Sequence, residues 1–410
     1  MYTVRSQRKN HLARLLGPAF VAAVAYVDPG NVAANITAGA RYGYLLIWVL
    51  VLANVMAVAI QYQSAKLGLV TGRSLPATMG QRLSRRSRIA YWLQAEAVAL
   101  ATDLAEIIGG AIALQLLFGL PLLAGGVITG AVSMALLGLQ NARRQRTFEF
   151  VIMGLLLIIT LGFLTGLVIL PPEPQAVAGG LVPGFAGADS VLIAASMLGA
   201  TVMPHAIYLH SSLVVHRHGT AARNPLGLAE LVRASRVDVV LALIVAGAVN
   251  IGLLLLAASA LQGVEGTDDI AGAHAAIADT FGPLVGSIFA VGLLASGLAS
   301  TSVGAYAGSE IMDGLLHRRV PLLPRRLITL IPALVVLAVG INPTDALVIS
   351  QVVLSFGIPF ALIPLVRLTG NARLMGQYRD RLALRVFSWI SAIVIVVLNL
   401  TLLWLTFTGV

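Results

Sequence analysis

Apolar stretches of membrane-crossing length follow one another along almost the whole chain, separated by short polar or charged segments. A transmembrane helix needs roughly 20 apolar residues. By that measure the pattern predicts eleven spans, near 16–40, 43–70, 90–117, 121–140, 149–170, 190–214, 237–261, 282–308, 326–341, 345–366 and 386–408, the ninth being short. Two of these stretches are broken internally. Asp28-Pro29-Gly30-Asn31 interrupts the first and Met203-Pro204-His205 interrupts the sixth. Proline inside a helix removes a backbone hydrogen bond and crowds the preceding turn. In lipid, the freed carbonyls are tolerated only where protein or a water-filled cavity meets them. Interrupted helices in corresponding halves of a membrane protein point to a transporter's central site.

The breaks lie about 175 residues apart, five spans from one another, so the two broken helices run in opposite directions. That arrangement predicts an all-α membrane protein with an inverted five-plus-five repeat. Residues 16–170 form the first repeat, 190–366 the second, and 386–408 an additional helix, all within one transmembrane domain covering 1–410.

Charge sets the orientation. Of 27 Lys and Arg residues, all but Arg41 fall on alternate loops or before the first span. The positive-inside rule makes those loops cytoplasmic. The N-terminus is then inside and, with eleven spans, the C-terminus outside. The opposite loops agree: 171–189 carries Glu173 and Asp189, and 262–281 carries Glu265, Asp268, Asp269 and Asp279, with no basic residue in either. The first residues, Met1 to Arg14, are basic and lead into apolar sequence without a cleavage motif, so the first span is expected to stay as an anchor.

Composition supports this picture. The chain is 58% hydrophobic and 11% charged, with mean hydropathy +0.91. A net charge of +10 would suit nucleic acid were it not confined to membrane-flanking loops. There is no cysteine, which excludes disulfides, iron–sulfur clusters and thiolate metal sites. No nucleophile–base pair or metalloprotease motif points to an enzyme.

The breaks supply a carboxylate, an amide, a thioether and an imidazole, a set that suits a transition-metal cation. A carboxylate deep in a span is costly unless it faces a cavity or a partner, so Asp28 is the first candidate, against a bland reading as ion pair or helix cap. Asn31 adds an amide oxygen. Met203 is a soft ligand, favouring Mn, Fe, Co or Cd over Mg or Ca, although methionine is also a common core filler. Unwound carbonyls of Ala25 and Ala200 could complete the shell. Gln351, in the tenth span, either joins them or only bridges helices, and Asn250 is a weaker candidate of that kind. His205 could ligate metal or carry a proton, the second being favoured, and His210 could continue such a path.

On the third span, Glu96, Asp103 and Glu106 recur at spacings of seven and three, which keeps them on one helical face. They read as a proton relay or as ion pairs between helices, with Arg325 and Arg326 of the ninth span as partners.

At these positions the chain resembles the Nramp family (natural resistance-associated macrophage proteins), through Asp28-Pro29-Gly30-Asn31, Ala200-Thr-Val-Met203-Pro204-His205 and Thr102-Asp103-Leu-Ala-Glu106. The resemblance implies a LeuT-like fold, alternating access, and uptake of Mn²⁺ or Fe²⁺ with H⁺ across a bacterial cytoplasmic membrane, Cd²⁺ and Co²⁺ being further substrates. It implies metal binding by Asp28, Asn31, Met203, the carbonyls of Ala25 and Ala200 and, in some states, Gln351. It assigns proton movement to Asp28, His205, Glu106, Asp103, Arg325 and Arg326. The metal is then cargo and no cofactor is expected. The partners are metal ions, protons and the lipid bilayer, with no nucleic acid and no obligate protein partner. The competing readings are an amino-acid or organic-solute symporter on the same fold, and a metal-selective channel without coupling.

Overall fold

The computed structural model describes residues 17–138, 145–219, 227–267, 269–318 and 321–408. It is 86% helical, without strands among the described residues. The first span is a pair, α1 (Pro18–Val24) and α2 (Pro29–Tyr42), joined through a 3₁₀ turn over Ala25–Val27. Then come α3 (Ile47–Thr71), the short α4 (Leu75–Gly80), α5 (Arg85–Phe118), α6 (Leu122–Gly138), α7 (Gln145–Ile169) and the short α8 (Pro174–Gly179). The sixth span is again a pair, α9 (Gly187–Thr201) and α10 (Pro204–His218). It is followed by α11 (Leu228–Ala260), α12 (Ile270–Phe281), α13 (Pro283–Leu316), α14 (Leu322–Val339), α15 (Pro343–Thr369), α16 (Ala372–Met375) and α17 (Leu382–Thr408).

Among the described residues, eight spans are long and apolar enough to cross a membrane, with α9–α10 counted as one. They coincide with eight of the eleven expected. The other three are not among the eight: the first is cut by its break, the fourth is the 17-residue α6, and the ninth is the 18-residue α14, which carries Arg325 and Arg326 in its first turns. Several helices also outrun their apolar cores. α5 begins at Arg85 and α11 at Leu228, so Arg85, Arg86, Arg88, Arg233 and Arg236 stand on helix ends rather than in loops. The acidic segment 262–281, expected as a loop, contains α12, whose first turn is capped by Asp269 accepting from Gly272 N at 2.6 Å.

Burial identifies the centre. The apolar window of α9–α10 is 94% buried, against 33% for those of α7 and α17. The broken sixth span is therefore the axis of the molecule, and α7 and α17 present apolar side chains such as Leu161, Trp404 and Phe407 outward. Around that axis, α11 packs on α2 and α3, α10 on α3, and α9 on α15. A second group, α5, α6, α13 and α14, packs together, with α13 running along α5 and its other side on α7. The α1–α2 pair lies between the groups, touching α11 on one side and α5 and α13 on the other.

Buried polar contacts tie these layers together. The Asp238 carboxylate of α11 accepts from Gly17 N (3.1 Å) and Ala19 N (2.9 Å), satisfying the free amides at the start of α1, where Pro18 has none to offer. Lys66, grouped by sequence with a cytoplasmic loop, lies within α3 at 4% exposure and forms an ion pair with Asp380. Asp380 also accepts from Gln63 Nε2 (2.8 Å), and Gln63 Oε1 accepts from Ser388 of α17 (3.0 Å).

Candidate functional site

Each break follows from one missing donor. In a continuing helix the N–H of residue i+4 bonds the carbonyl of residue i. The partner due to Ala25 is residue 29 and the partner due to Ala200 is residue 204, and both are proline. Each proline instead opens the next half-helix, where its fixed φ and lack of N–H cost nothing. Between the half-helices the backbone is extended, at Asp28 (φ −71°, ψ 168°) and at Met203 (φ −67°, ψ 123°).

The two breaks meet. Asp28 caps α2, its Oδ1 accepting from Asn31 N at 2.8 Å and from Asn31 Nδ2 at 2.9 Å. The same Asn31 amide nitrogen donates across to the Ala200 carbonyl at 2.9 Å. From α15, Gln351 Nε2 reaches Asp28 Oδ2 at 3.5 Å and Ser350 Oγ at 3.2 Å. Gly30 makes this approach possible, because a Cβ there would overlap the Gln351 amide. Asp28, Asn31, Ala25, Ala200, Met203 and Gln351 are all buried. Asn31 Oδ1 and Gln351 Oε1 have no hydrogen-bond partner. Two oxygen acceptors thus stand unused beside a buried carboxylate, and a cation would satisfy them. Met203 and Ala25 occupy the same two breaks by chain position.

Other residues hold the unwound segment in place. Asn250 Nδ2 donates to the Tyr26 carbonyl (2.6 Å) and Asn250 Oδ1 accepts from Asn35 Nδ2 (3.0 Å). Ser296 of α13 donates to the Val27 carbonyl (2.5 Å). Asn250 therefore serves the backbone of the first break. Asn35 and Ser296 carry no signal in the sequence beyond being polar residues within apolar helices.

The two histidines of α10 separate. Five residues apart on a helix, they point about 140° from one another. His205 Nδ1 lies 3.4 Å from Thr102 Oγ1 on α5. His210 Nδ1 is 2.8 Å from Gln61 Oε1 on α3, and Gln61 Nε2 donates to the Tyr26 hydroxyl. His210 therefore does not continue a line from His205. It closes a Tyr26–Gln61–His210 chain directly below the first break.

The third-span carboxylates find the expected partners. Arg325 Nη2 pairs with Glu96 Oε1 at 2.8 Å. Arg326, with its side chain fully buried, pairs with Asp103 and lies 3.8 Å from Glu106 Oε2. Asp103, Glu106 and Arg326 thus form a buried ionic trio.

Among the described residues, no three His, Cys, Asp or Glu side chains converge as a metal group. What converges is one carboxylate, two amide side chains and the Ala200 carbonyl.

Comparison with known proteins places this geometry. The family model for natural resistance-associated macrophage protein-like proteins matches residues 19–405. The divalent metal cation transporter MntH of Mycobacterium tuberculosis H37Rv is 58% identical over 395 residues, covering 96% of this chain and 92% of that protein. The crystal structure of a manganese transporter from Eremococcus coleocola superposes with TM-score 0.85 at 33% identity, over 96% of this chain and 87% of that one. MhsT, crystallised with L-phenylalanine, shares the fold alone, with TM-score 0.63 at 13% identity over 94% of this chain and 98% of its own. The fold is thus the LeuT-like one, and the chain belongs to the Nramp family.

Proposed function

We propose that this multi-pass membrane protein is a transporter, not an enzyme, that imports divalent transition-metal ions, Mn²⁺ or Fe²⁺ with Cd²⁺ and Co²⁺ as further substrates, together with H⁺. The observation that carries this reading is the meeting of the two proline breaks, where Asp28, Asn31 and the Ala200 carbonyl stand within hydrogen-bonding distance beside unsatisfied amide oxygens. Asp28, Asn31, Met203, the carbonyls of Ala25 and Ala200, and Gln351 would hold the ion. A transported ion must bind well enough to enter and weakly enough to leave. One carboxylate among neutral donors suits that better than a cluster of anions. The metal is cargo, and no cofactor is invoked.

Alternating access would expose the site to each side in turn, with residues 16–170 and 190–366 acting as inverted repeats and 386–408 outside them. Protons would pass by way of Asp28, His205 and the buried Asp103, Glu106 and Arg326, on to Arg325 and the partly exposed Glu96. The N-terminus would face the cytoplasm and the C-terminus the exterior of a bacterial cytoplasmic membrane.

The amino-acid symporter reading is disfavoured by one contact. In such a site a half-helix N-terminus receives the substrate carboxylate. Here the N-terminus of α2 already receives the carboxylate of Asp28.

The test is ⁵⁴Mn²⁺ uptake into proteoliposomes with and without an inward proton gradient, beside Asp28→Ala. Uptake that the gradient accelerates and Asp28→Ala abolishes is the expected result. Absence of Mn²⁺ uptake by folded protein would overturn it.

A further inference from the structure

The helices that frame the central site continue together to another group of metal-ligating side chains. α10 runs from Pro204 to His216, about 18 Å along its axis. α13 runs beside it from Ser296, which holds the Val27 carbonyl, to its end at Leu316. Both finish on the face that the basic residues assign to the cytoplasm. Between them lies a cavity of about 310 Å³, lined by Arg73 and Ser74 after α3, His216 of α10, and Glu310, Asp313 and His317 at the end of α13.

The cavity wall is ordered. Tyr306, Glu310, Asp313 and His317 follow one another at helical spacings of four, three and four, so they form one stripe. His216 Nδ1 is 2.7 Å from the Tyr306 hydroxyl, and the two rings stack at 6.3 Å between centroids. That contact orients the ring and turns Nε2 toward Glu310 Oε2 at 3.9 Å. His317 ends the stripe with φ 55°, the sole non-glycine residue in the left-handed region among the described residues.

The donor spacing suits a cation. Mid-first-row divalent ions take imidazole nitrogen and carboxylate oxygen at about 2.0–2.2 Å. Donors 3.9 Å apart can therefore share one ion after a slight rotamer adjustment. An imidazole in the donor pair selects transition metals over Ca²⁺ and Mg²⁺. Because no three such side chains converge, most of the ion's shell would remain water and exchange would be fast. The side chains are accessible, at 45% for His216 and 18% for Glu310.

We propose that this pocket is a second, cytoplasm-facing site for the divalent transition-metal ion, held by His216 and Glu310 with water completing its shell, where cargo released from the central site pauses before leaving. The proposal rests on the transport reading above. An ion there bridges α10 to α13, so at high cytoplasmic concentration it also slows further release.

The test counts Mn²⁺ bound to the purified full-length protein from the loss of the free-ion electron paramagnetic resonance signal, in an Asp28→Ala background. One weak site should persist in that background. Adding Glu310→Gln, which keeps the side-chain shape, or His216→Ala should weaken it by about tenfold or more. Retention of full Mn²⁺ affinity by both variants would show that His216 and Glu310 form only an ion pair, and would overturn the proposal. So would the absence of any binding once Asp28 is removed. If the pocket binds Mn²⁺ while wild-type protein shows no Mn²⁺ uptake, the transport reading fails and the site stands.

Discussion

Arg326 offers the sharpest test of how the third span is held. Its side chain is completely buried, and so are those of Asp103 and Glu106. Removing one member of a buried ionic group leaves uncompensated charge and costs about 3–5 kcal/mol. Replacing the whole group with apolar side chains of similar volume is commonly neutral or better. Arg326→Met alone should therefore be strongly destabilising, whereas Arg326→Met combined with Asp103→Leu and Glu106→Met should not. At an unfolding entropy of about 2 cal/mol/K per residue, 3–5 kcal/mol corresponds to about 4–6 °C for a chain of this length. The assay is thermal unfolding in detergent at one fixed scan rate, since apparent midpoints of irreversible transitions depend on it. A single variant that melts with the wild type would refute the reasoning. So would a triple variant that melts as low as the single one, because the loss would then come from packing and not from charge.

Other outcomes follow from the same geometry. Met203→Ala should retain part of the Mn²⁺ uptake but weaken exclusion of Ca²⁺ and Mg²⁺ in competition assays, because hard cations have no need of a thioether; unchanged selectivity would remove the soft-ligand argument. Glu106→Gln or Asp103→Asn should lower H⁺ flux more than metal flux when both are followed in the same vesicles, and equal losses would make the ionic trio purely structural. Gly199→Ala should prevent correct assembly, since its Cβ would overlap the Gln351 carbonyl and come within 2.8 Å of Ser355 N, both main-chain atoms. At Gly30 the atoms nearest an added Cβ belong to the far end of the Gln351 side chain, which can turn aside, so Gly30→Ala should fold, which expression and size-exclusion profiles would compare directly. Asp238→Ala should lower the unfolding midpoint, since it strands two buried amides at the start of α1, each costing about 1–3 kcal/mol.

The parts legible in the sequence are those written in local chemistry. Proline at 29 and 204 announces the breaks because no helix interior tolerates it cheaply. The acids at 96, 103 and 106 share a face by spacing alone, and the paired arginines at 325 and 326 are the obvious buried complement. Where the sequence was silent, the contact is long-range or chemically ordinary. Lys66 and Asp380 lie 314 positions apart, and a lysine at the end of a span looks like any loop charge. Asn35 and Ser296 resemble the small polar residues scattered through every helix, and only the fold shows that Asn250 and Ser296 hold main-chain carbonyls. His210 was grouped with His205 by proximity along the chain, although a separation of five residues turns them to different neighbours. The helix at 270–281 was hidden by the acidic loop that leads into it.

The paired prolines have a genetic corollary. On the proposed reading, two of the oxygen atoms that would hold the ion belong to the main chain of Ala25 and Ala200, so no substitution at those positions deletes them, and an alanine scan is blind there by construction. The information that releases these oxygens is stored four residues downstream, at Pro29 and Pro204. Variation that alters this part of the site will therefore map to residues that donate no atom to the ion, and a drift from proline to alanine there would restore an amide hydrogen and silently re-close the helix.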